Sequence, residues 1–275
     1  MSWLKLLRHD LRCGLLRWRY LLVPALVLLP CIVCRSEVVL TGAPGTWMDY
    51  MLYCFKGSLP LNAGSELTLA LPTFWLLAMA GCLLLNLDYL LSDLTRAGQQ
   101  IIFRSGKRRG WYLSKCVWNL CSCGLYLALI CGSVLGFTLL FGGQASAQST
   151  PEILEIHFQE MGTEMARLTP WQGVIAAVLM PLVTLMALSM LQMALSLLVR
   201  PIVSFLATFA VLVLAVYCNL PILPGTGAMV IRSGLLLPGG ISPGTGALAA
   251  GCVILLSVAA GCLRFKYTDL LGLEE

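Results

Sequence analysis

Charge is what this chain has least of. Its 275 residues include 13 Asp and Glu, 18 Lys and Arg and two His, so that 11% are charged while 59% are hydrophobic. Mean hydropathy is +0.86. Soluble globular domains carry about a quarter charged residues, so that class is excluded and a polytopic membrane protein remains. Other absences are more specific. No GxxxxGK[ST] loop is present; the only Gly-Lys pair, Gly106 and Lys107, is followed by Arg108. Without backbone amides to cradle phosphates, the chain is not expected to hydrolyse ATP itself. No GxSxG, HExxH or pair of intramembrane aspartates occurs, so hydrolase and intramembrane-protease readings lack their reacting groups and no catalytic residue is assigned. The net charge of +5 does not come with stacking aromatics on a basic surface, which argues against a nucleic-acid partner.

Cysteine is abundant, with twelve residues. Cys82, Cys116, Cys121, Cys123, Cys131, Cys218, Cys252 and Cys262 fall in or beside apolar runs, where Cys packs as a small hydrophobe. Cys31 and Cys34 have CxxC spacing near the outer end of the first run and Cys54 follows in an outer loop, which leaves one bridge open. With no second CxxC and no His beside them, zinc is not expected, and no metal site is assigned.

The apolar runs predict an all-α membrane protein with about six spans, at residues 20–34, 67–91, 116–141, 171–199, 202–220 and 246–263, in one transmembrane domain over 1–275. Residues 1–19 set Leu4, Leu7, Leu11, Leu15 and Trp18 on one helical stripe beside Lys5, Arg8, Arg12 and Arg19, the pattern of an amphipathic helix lying in the membrane interface. Pro24 and Pro30 are expected to interrupt and shorten the first span. In the outer segment 35–64, Trp47, Tyr50, Tyr53 and Phe55 suit an aromatic belt, and Ser65 and Glu66 suit a helix cap. Asn86, Asp88, Asn119 and Gln192 are the polar groups within or near spans, hence candidates for lining a path.

The outer loop 142–170 is acidic. His157 and Glu160 have metal-compatible i, i+3 spacing, but a solvated amphipathic helix is the favoured reading of the segment. Residues 221–245 carry PGTGA twice around Leu235, Leu236 and Leu237, which predicts a re-entrant segment before the last span. About fourteen of the 18 Lys and Arg then fall on one side, with Arg35, Lys56, Arg167 and Arg232 opposing. Positive residues accumulate in the cytoplasm, so both termini and the basic loop 92–115 are placed there, with Arg104, Arg108, Arg109, Trp111 and Lys115 at the membrane interface together with Lys5, Arg8, Arg12 and Trp18.

This layout, and locally the segment FRSGKRRGWYLSK with Arg104, Ser105, Gly106, Arg108, Arg109, Trp111 and Lys115, resembles the permease subunits of type-2 ABC transporters, the bacterial class that includes drug and lantibiotic exporters. The resemblance implies a cell-membrane protein that works as a dimer, with a second permease copy or a homologous permease, around a central path. It further implies a cytoplasmic coupling helix at 93–103 that seats in a separate ABC ATPase subunit through Asp93, Arg96, Gln99, Ile101, Ile102 and Phe103. ATP and Mg would be bound by that partner, and this chain would hold no cofactor. The cargo implied is a peptide or amphipathic drug. Two other readings stand beside it. One is a non-transporting membrane anchor or sensor that recruits a cytoplasmic protein through 92–115. The other is a membrane-embedded enzyme that uses His157 and nearby Glu residues.

Overall fold

Inside a bilayer no water is present to satisfy backbone amides and carbonyls, so an apolar run must bond within itself, and the helix is the single-segment solution. The computed structural model of the protein describes residues 3–15, 17–59, 71–93, 108–159 and 167–267. Among these it is helical, with no strand and only two isolated bridges, Thr46 with Gln144 and Ser233 with Ile241. The helices are α1 (Trp3–Leu15), α2 (Leu22–Thr41) with a 3-10 turn before it (Trp18–Leu21), α3 (Trp47–Cys54), α4 (Thr73–Asn86), α5 (Tyr89–Asp93), α6 (Arg108–Leu140), α7 (Pro151–His157), α8 (Pro170–Leu195), α9 (Pro201–Tyr217) and α10 (Pro243–Tyr267).

Among the described residues, four segments are long and apolar enough to cross a membrane: Trp18–Thr41, Arg109–Leu140, Pro170–Leu195 and Pro243–Phe265. Thr73–Asn86 and Pro201–Tyr217 are shorter apolar helices. The long helices present Leu28, Leu29, Ile32, Leu255, Leu256 and Leu263 outward, each about half exposed or more. In water so much exposed apolar surface would drive aggregation; against acyl chains it carries no penalty.

Several boundaries differ from the expected ones, for identifiable reasons. The first span does not stop at residue 34: α2 continues through Arg35 and Glu37 to Thr41 and closes on Gly42, whose φ of 67° is the left-handed cap geometry glycine adopts freely. Pro24 lies in the first helical turn, where its missing N–H would have had no partner, and buried Pro30 removes one interior bond without ending the helix. In α8 the turn Ile175–Leu179 widens to a π-helix. The ring of Pro181 would otherwise press on the Ala177 carbonyl, so the wider turn lets the helix run past it. The third run begins as helix at Arg108 rather than 116. The expected cap at Ser65 and Glu66 lies outside the described residues.

One end of the bundle gathers α1, α5 and the start of α6, and the other gathers α3, α7 and the irregular segment 221–242. At the α3 end the expected aromatic belt is folded inward. Tyr50 and Phe55 are 1% and 0% exposed, because the α3 capping box, in which Thr46 and Asp49 satisfy each other's backbone amides, turns the helix back onto the bundle. The other Asp49 oxygen accepts the Thr150 amide at 2.9 Å. That ties the loop before α3 to the loop before α7. Within 221–242, residues 224–226, 228–233, 236 and 241 are buried, while Ile222 and the turn at 238–239 are exposed. Val230 and Ile231 donate their amides to the Phe55 and Lys56 carbonyls at 3.1 and 3.0 Å, and 3-10 turns cover Thr226–Ala228 and Val230–Arg232.

Candidate functional site

At the α1 end, three elements meet around one ammonium. The face α1 turns inward is Leu6, Asp10 and Gly14, spaced one helical turn apart, rather than the leucine stripe; Leu4 is exposed and Leu7, Leu11 and Leu15 are half-buried. Gly14 is glycine because the Trp118 indole of α6 occupies the space a side chain would need. One turn earlier, Asp10 and Lys115 are both fully buried. Lys115 Nζ lies 2.6 Å from Asp10 Oδ1 and 2.7 Å from Asp93 Oδ2. Ser114 donates its hydroxyl to Asp10 Oδ2 at 2.6 Å, and Tyr89 donates to Asp10 Oδ1 at 3.4 Å.

The ammonium lies 4.9 Å from the Tyr89 ring centroid and 5.0 Å from that of Trp111, while the Arg17 guanidinium sits 4.8 Å from the same Tyr89 ring. Two carboxylates, two aromatic faces and a hydroxyl thus compensate charges that burial would otherwise make prohibitive. The aromatics are themselves packed, Trp111 stacking on Phe265 and Tyr89 on Trp118. Asp93 precedes residues 94–107 and Lys115 follows them, so this ion pair joins the two sides of the basic loop.

Lys115 and Trp111 were expected at the lipid headgroups, and that placement is corrected. Both are buried, at 0% and 1% exposure, because Asp10 and Phe265 supply partners from distant parts of the chain. Lys5, Arg8, Arg12, Trp18 and Arg109 are exposed, as an interfacial position requires. Of the residues expected to meet an ATPase, only Asp93 is described; Arg96, Gln99, Ile101, Ile102 and Phe103 lie outside the described residues, as does Arg104, and the Arg108 backbone begins α6.

A second polar cluster crosses the bundle. Tyr20 and Ser122 hydroxyls are 2.7 Å apart, and Ser122 donates to Asn86 Oδ1 at 2.5 Å, so Tyr20 is the donor of the first bond. Asn86 donates to Ser189 Oγ at 3.0 Å, Ser189 to Asn119 Oδ1 at 2.6 Å, and Asn119 to the Ser189 carbonyl at 3.1 Å. Gln192 donates to the Leu83 carbonyl at 3.0 Å, and Thr208 Oγ1 stands 3.4 Å from its side-chain oxygen. Three of the residues expected along a path, Asn86, Asn119 and Gln192, are therefore buried and bonded within the bundle, joining α4, α6, α8 and α9, where hydrogen bonds act as interhelical glue. The fourth, Asp88, is on the surface, 3.3 Å from Arg19, with both side chains about half exposed. An exposed pair of this kind is worth at most about 1 kcal/mol.

At the α3 end, α7 is amphipathic as expected, with Glu152 and Glu155 exposed, but its other face packs into the bundle instead of lying free. Ile153, Leu154, His157 and Phe158 are buried. His157 Nε2 is 3.3 Å from Glu37 Oε2 and 3.6 Å from Cys34 Sγ, and burial, followed by the charge of Lys56, pushes the imidazole down to about 4. With burial holding the ring neutral, the contact with Glu37 is not an ion pair. Glu160 lies outside the described residues, and no cluster of three or more metal-ligating side chains occurs among those described. All twelve cysteines are free thiols, Cys31, Cys34 and Cys54 buried among them.

Arg232 is 2% exposed and donates to the carbonyls of Ala215 at 2.8 Å, Cys218 at 3.3 Å, Val216 and Ser58. It closes the C-terminus of α9, whose last carbonyls have no intrahelical partner and carry the negative end of the helix dipole. Burial lowers this guanidinium to about 10.

Sequence reasoning overlooked Asp10, Ser114 and Tyr89. The signal was present as one acid in an otherwise basic helix, in register with Leu6 and Gly14. A family model described as "Protein of unknown function (DUF2705)" matches residues 27–271. No curated protein and no solved structure matches the chain.

Proposed function

The chain belongs to the DUF2705 family, and we propose that it is the membrane subunit of an ATP-driven exporter, coupled to a separate cytoplasmic ABC ATPase. In this reading the four long helices and the shorter α4 and α9 make six spans. Both termini and the loop 94–107 face the cytoplasm of a bacterial cell, and two permease copies, identical or homologous, enclose the path for a peptide or amphipathic drug. ATP and Mg are held by the ATPase, which supplies hydrolysis; this chain supplies the path and the docking loop.

The observation that carries the proposal is the setting of residues 94–107. A motor that closes on ATP can drive a membrane protein only through an element that does not yield, since a displacement absorbed by a slack loop reaches no helix. Here the flanks of the loop are joined by the Asp93–Lys115 ion pair and braced by α1. The loop holds Ile101, Ile102 and Phe103, an apolar run that favours a partner surface over water, and it is flanked by helices on which a push would act directly. The lack of a phosphate loop in the chain supports the division of labour.

Co-purification with an ATPase bearing a phosphate-loop motif, lost when Arg96, Ile102 and Phe103 are replaced by Ala, is the expected result. Unchanged affinity after those replacements would remove the docking assignment. Reconstitution separates transport from anchoring: ATP-dependent movement of cargo into proteoliposomes supports the exporter, whereas a partner that binds without any flux supports a membrane anchor or sensor.

A further inference from the structure

We infer that Asp10 is a positioning residue which, through Lys115, sets the geometry of the two flanks of residues 94–107 and so makes α1 a structural part of the loop's support. Its consequence for an ATPase rests on the exporter reading; the geometric claim does not.

Lys115 is the shared member of two contacts. Its Nζ meets Asp93 from the chain entering the loop at 2.7 Å and Asp10 from α1 at 2.6 Å. An ammonium has three N–H donors on a flexible four-carbon stem, so one carboxylate fixes its distance but leaves its direction free. Asp10 removes that freedom by accepting an N–H of the ammonium, whereas the Asp93 contact is an ion pair without a hydrogen bond. Asp10 is itself held, by Ser114 at 2.6 Å and by Tyr89, whose hydroxyl stands 3.3 Å from the Asp10 carbonyl oxygen. The remaining surroundings of Nζ are the faces of Tyr89 and Trp111, which attract a cation without dictating its position to within a bond length.

Displacing α1 therefore does more than remove one helix from the bundle. It leaves a buried ammonium with one carboxylate, able to re-aim along its stem, and the joint between α5 and α6 loosens. Trp3 adds a second tie by donating its indole N–H to the Gly110 carbonyl at 3.1 Å, near the start of α6. Leu6 packs in one cluster with Leu90 of α5 and Trp111 of α6, so its contact also supports the flanks, but it leaves both carboxylates on Lys115.

The test is amide hydrogen exchange of the full-length chain in bilayer nanodiscs, comparing the natural protein with Asp10→Asn, Asp10→Glu, Ser114→Ala and Leu6→Ala. Asp10→Asn is expected to speed exchange in peptides covering 89–93 and 108–115 by about tenfold, with α3 and α7 unchanged and with recovery in Asp10→Glu. Leu6→Ala is expected to speed exchange in α1 and to affect those two flanks less. Faster exchange in α1 with the flanks unaltered in Asp10→Asn, or an equal rise in the flanks in Leu6→Ala, would overturn the inference, since α1 would then act by packing alone. Should Asp10→Asn loosen every helix, Ser114→Ala decides: a rise of about threefold confined to α1 and the flanks supports the inference, and none there overturns it. These measurements need no partner. An ATPase that fails to bind the natural protein would remove the exporter reading while leaving the exchange result standing.

Discussion

Lys115 shows how far a single residue can depart from the rule written for its type. A lysine at the end of a basic loop and the start of an apolar run ordinarily meets lipid phosphate. This one is fully buried with two aspartates, because Asp10, which precedes the first span in the chain, packs beside it. His157 departs in the same direction. Its neutral state is bound to the fold, since burial lowers it to about 4 from an ordinary value of 6.5. Between those values the unfolded chain binds a proton that the folded chain refuses, so the stability it contributes is full above pH 6.5 and is lost as pH falls toward 4. The expected loss is roughly 3 kcal/mol. Thermal unfolding of the purified protein in detergent from pH 7 to 4 should show this decline, and His157→Leu should flatten it. An equal slope in both proteins would assign the acid sensitivity elsewhere.

What was legible at this scale was residue class: that most cysteines are packing groups, and that Lys5, Arg8, Arg12 and Arg109 are exposed. Pairing was not legible. Asp10 and Lys115 are 105 positions apart and Cys34 and His157 are 123 apart, and nothing local in either segment announces the other.

At the scale of elements, α1 was recognisable as amphipathic, but its docking face was not the stripe of large hydrophobes. A helix at a membrane surface divides its sides among lipid, water and protein, and the protein side here is the one with a glycine, where backbones and indole approach closely. Gly14→Ala places a methyl group in the Trp118 ring, so α1 must lift or Trp118 must move. The expected cost is about 1–3 kcal/mol, read as faster amide exchange in α1, with α9 and α10 unaffected. Arg232 makes the corresponding case at the other end. Arg232→Leu strands the carbonyls of Ala215, Val216 and Cys218 at about 1–3 kcal/mol for each one left without water. A lowered melting temperature, with faster exchange at the end of α9 and in 226–233, is expected; unaltered exchange there would mean water replaces the guanidinium at no cost. The turn-rich character of 221–242 was readable from its prolines and glycines, since that signal is local; the α3 capping box of Thr46 and Asp49 was missed. The length of α2 was misjudged because proline was weighed by its presence rather than by its place in the helix.

For the whole molecule, the exporter reading requires both termini on the cytoplasmic side. Cys13 is exposed on α1, which makes it a natural reporter. A membrane-impermeant maleimide is expected to leave it unlabelled in intact cells and to label it after permeabilisation, while Cys121 and Cys252, exposed on long apolar helices, stay unreactive in lipid. Labelling of Cys13 before permeabilisation would invert the topology and put the basic loop outside, ending the ATPase assignment.

Composition and the order of apolar runs were sufficient, without any coordinates, to determine a helical membrane protein, a basic loop between the second and third runs and a turn-rich segment before the last. Those properties follow from local hydropathy and backbone satisfaction, which each stretch of chain settles for itself. Only the tertiary structure decided that the polar residues Asn86, Asn119 and Gln192 bond within the bundle, that α3 folds inward, and that one lysine joins α1, α5 and α6. Each of these depends on which distant group comes within hydrogen-bonding distance, and in a low-dielectric interior that distance decides whether a buried polar or charged group is a penalty or a joint.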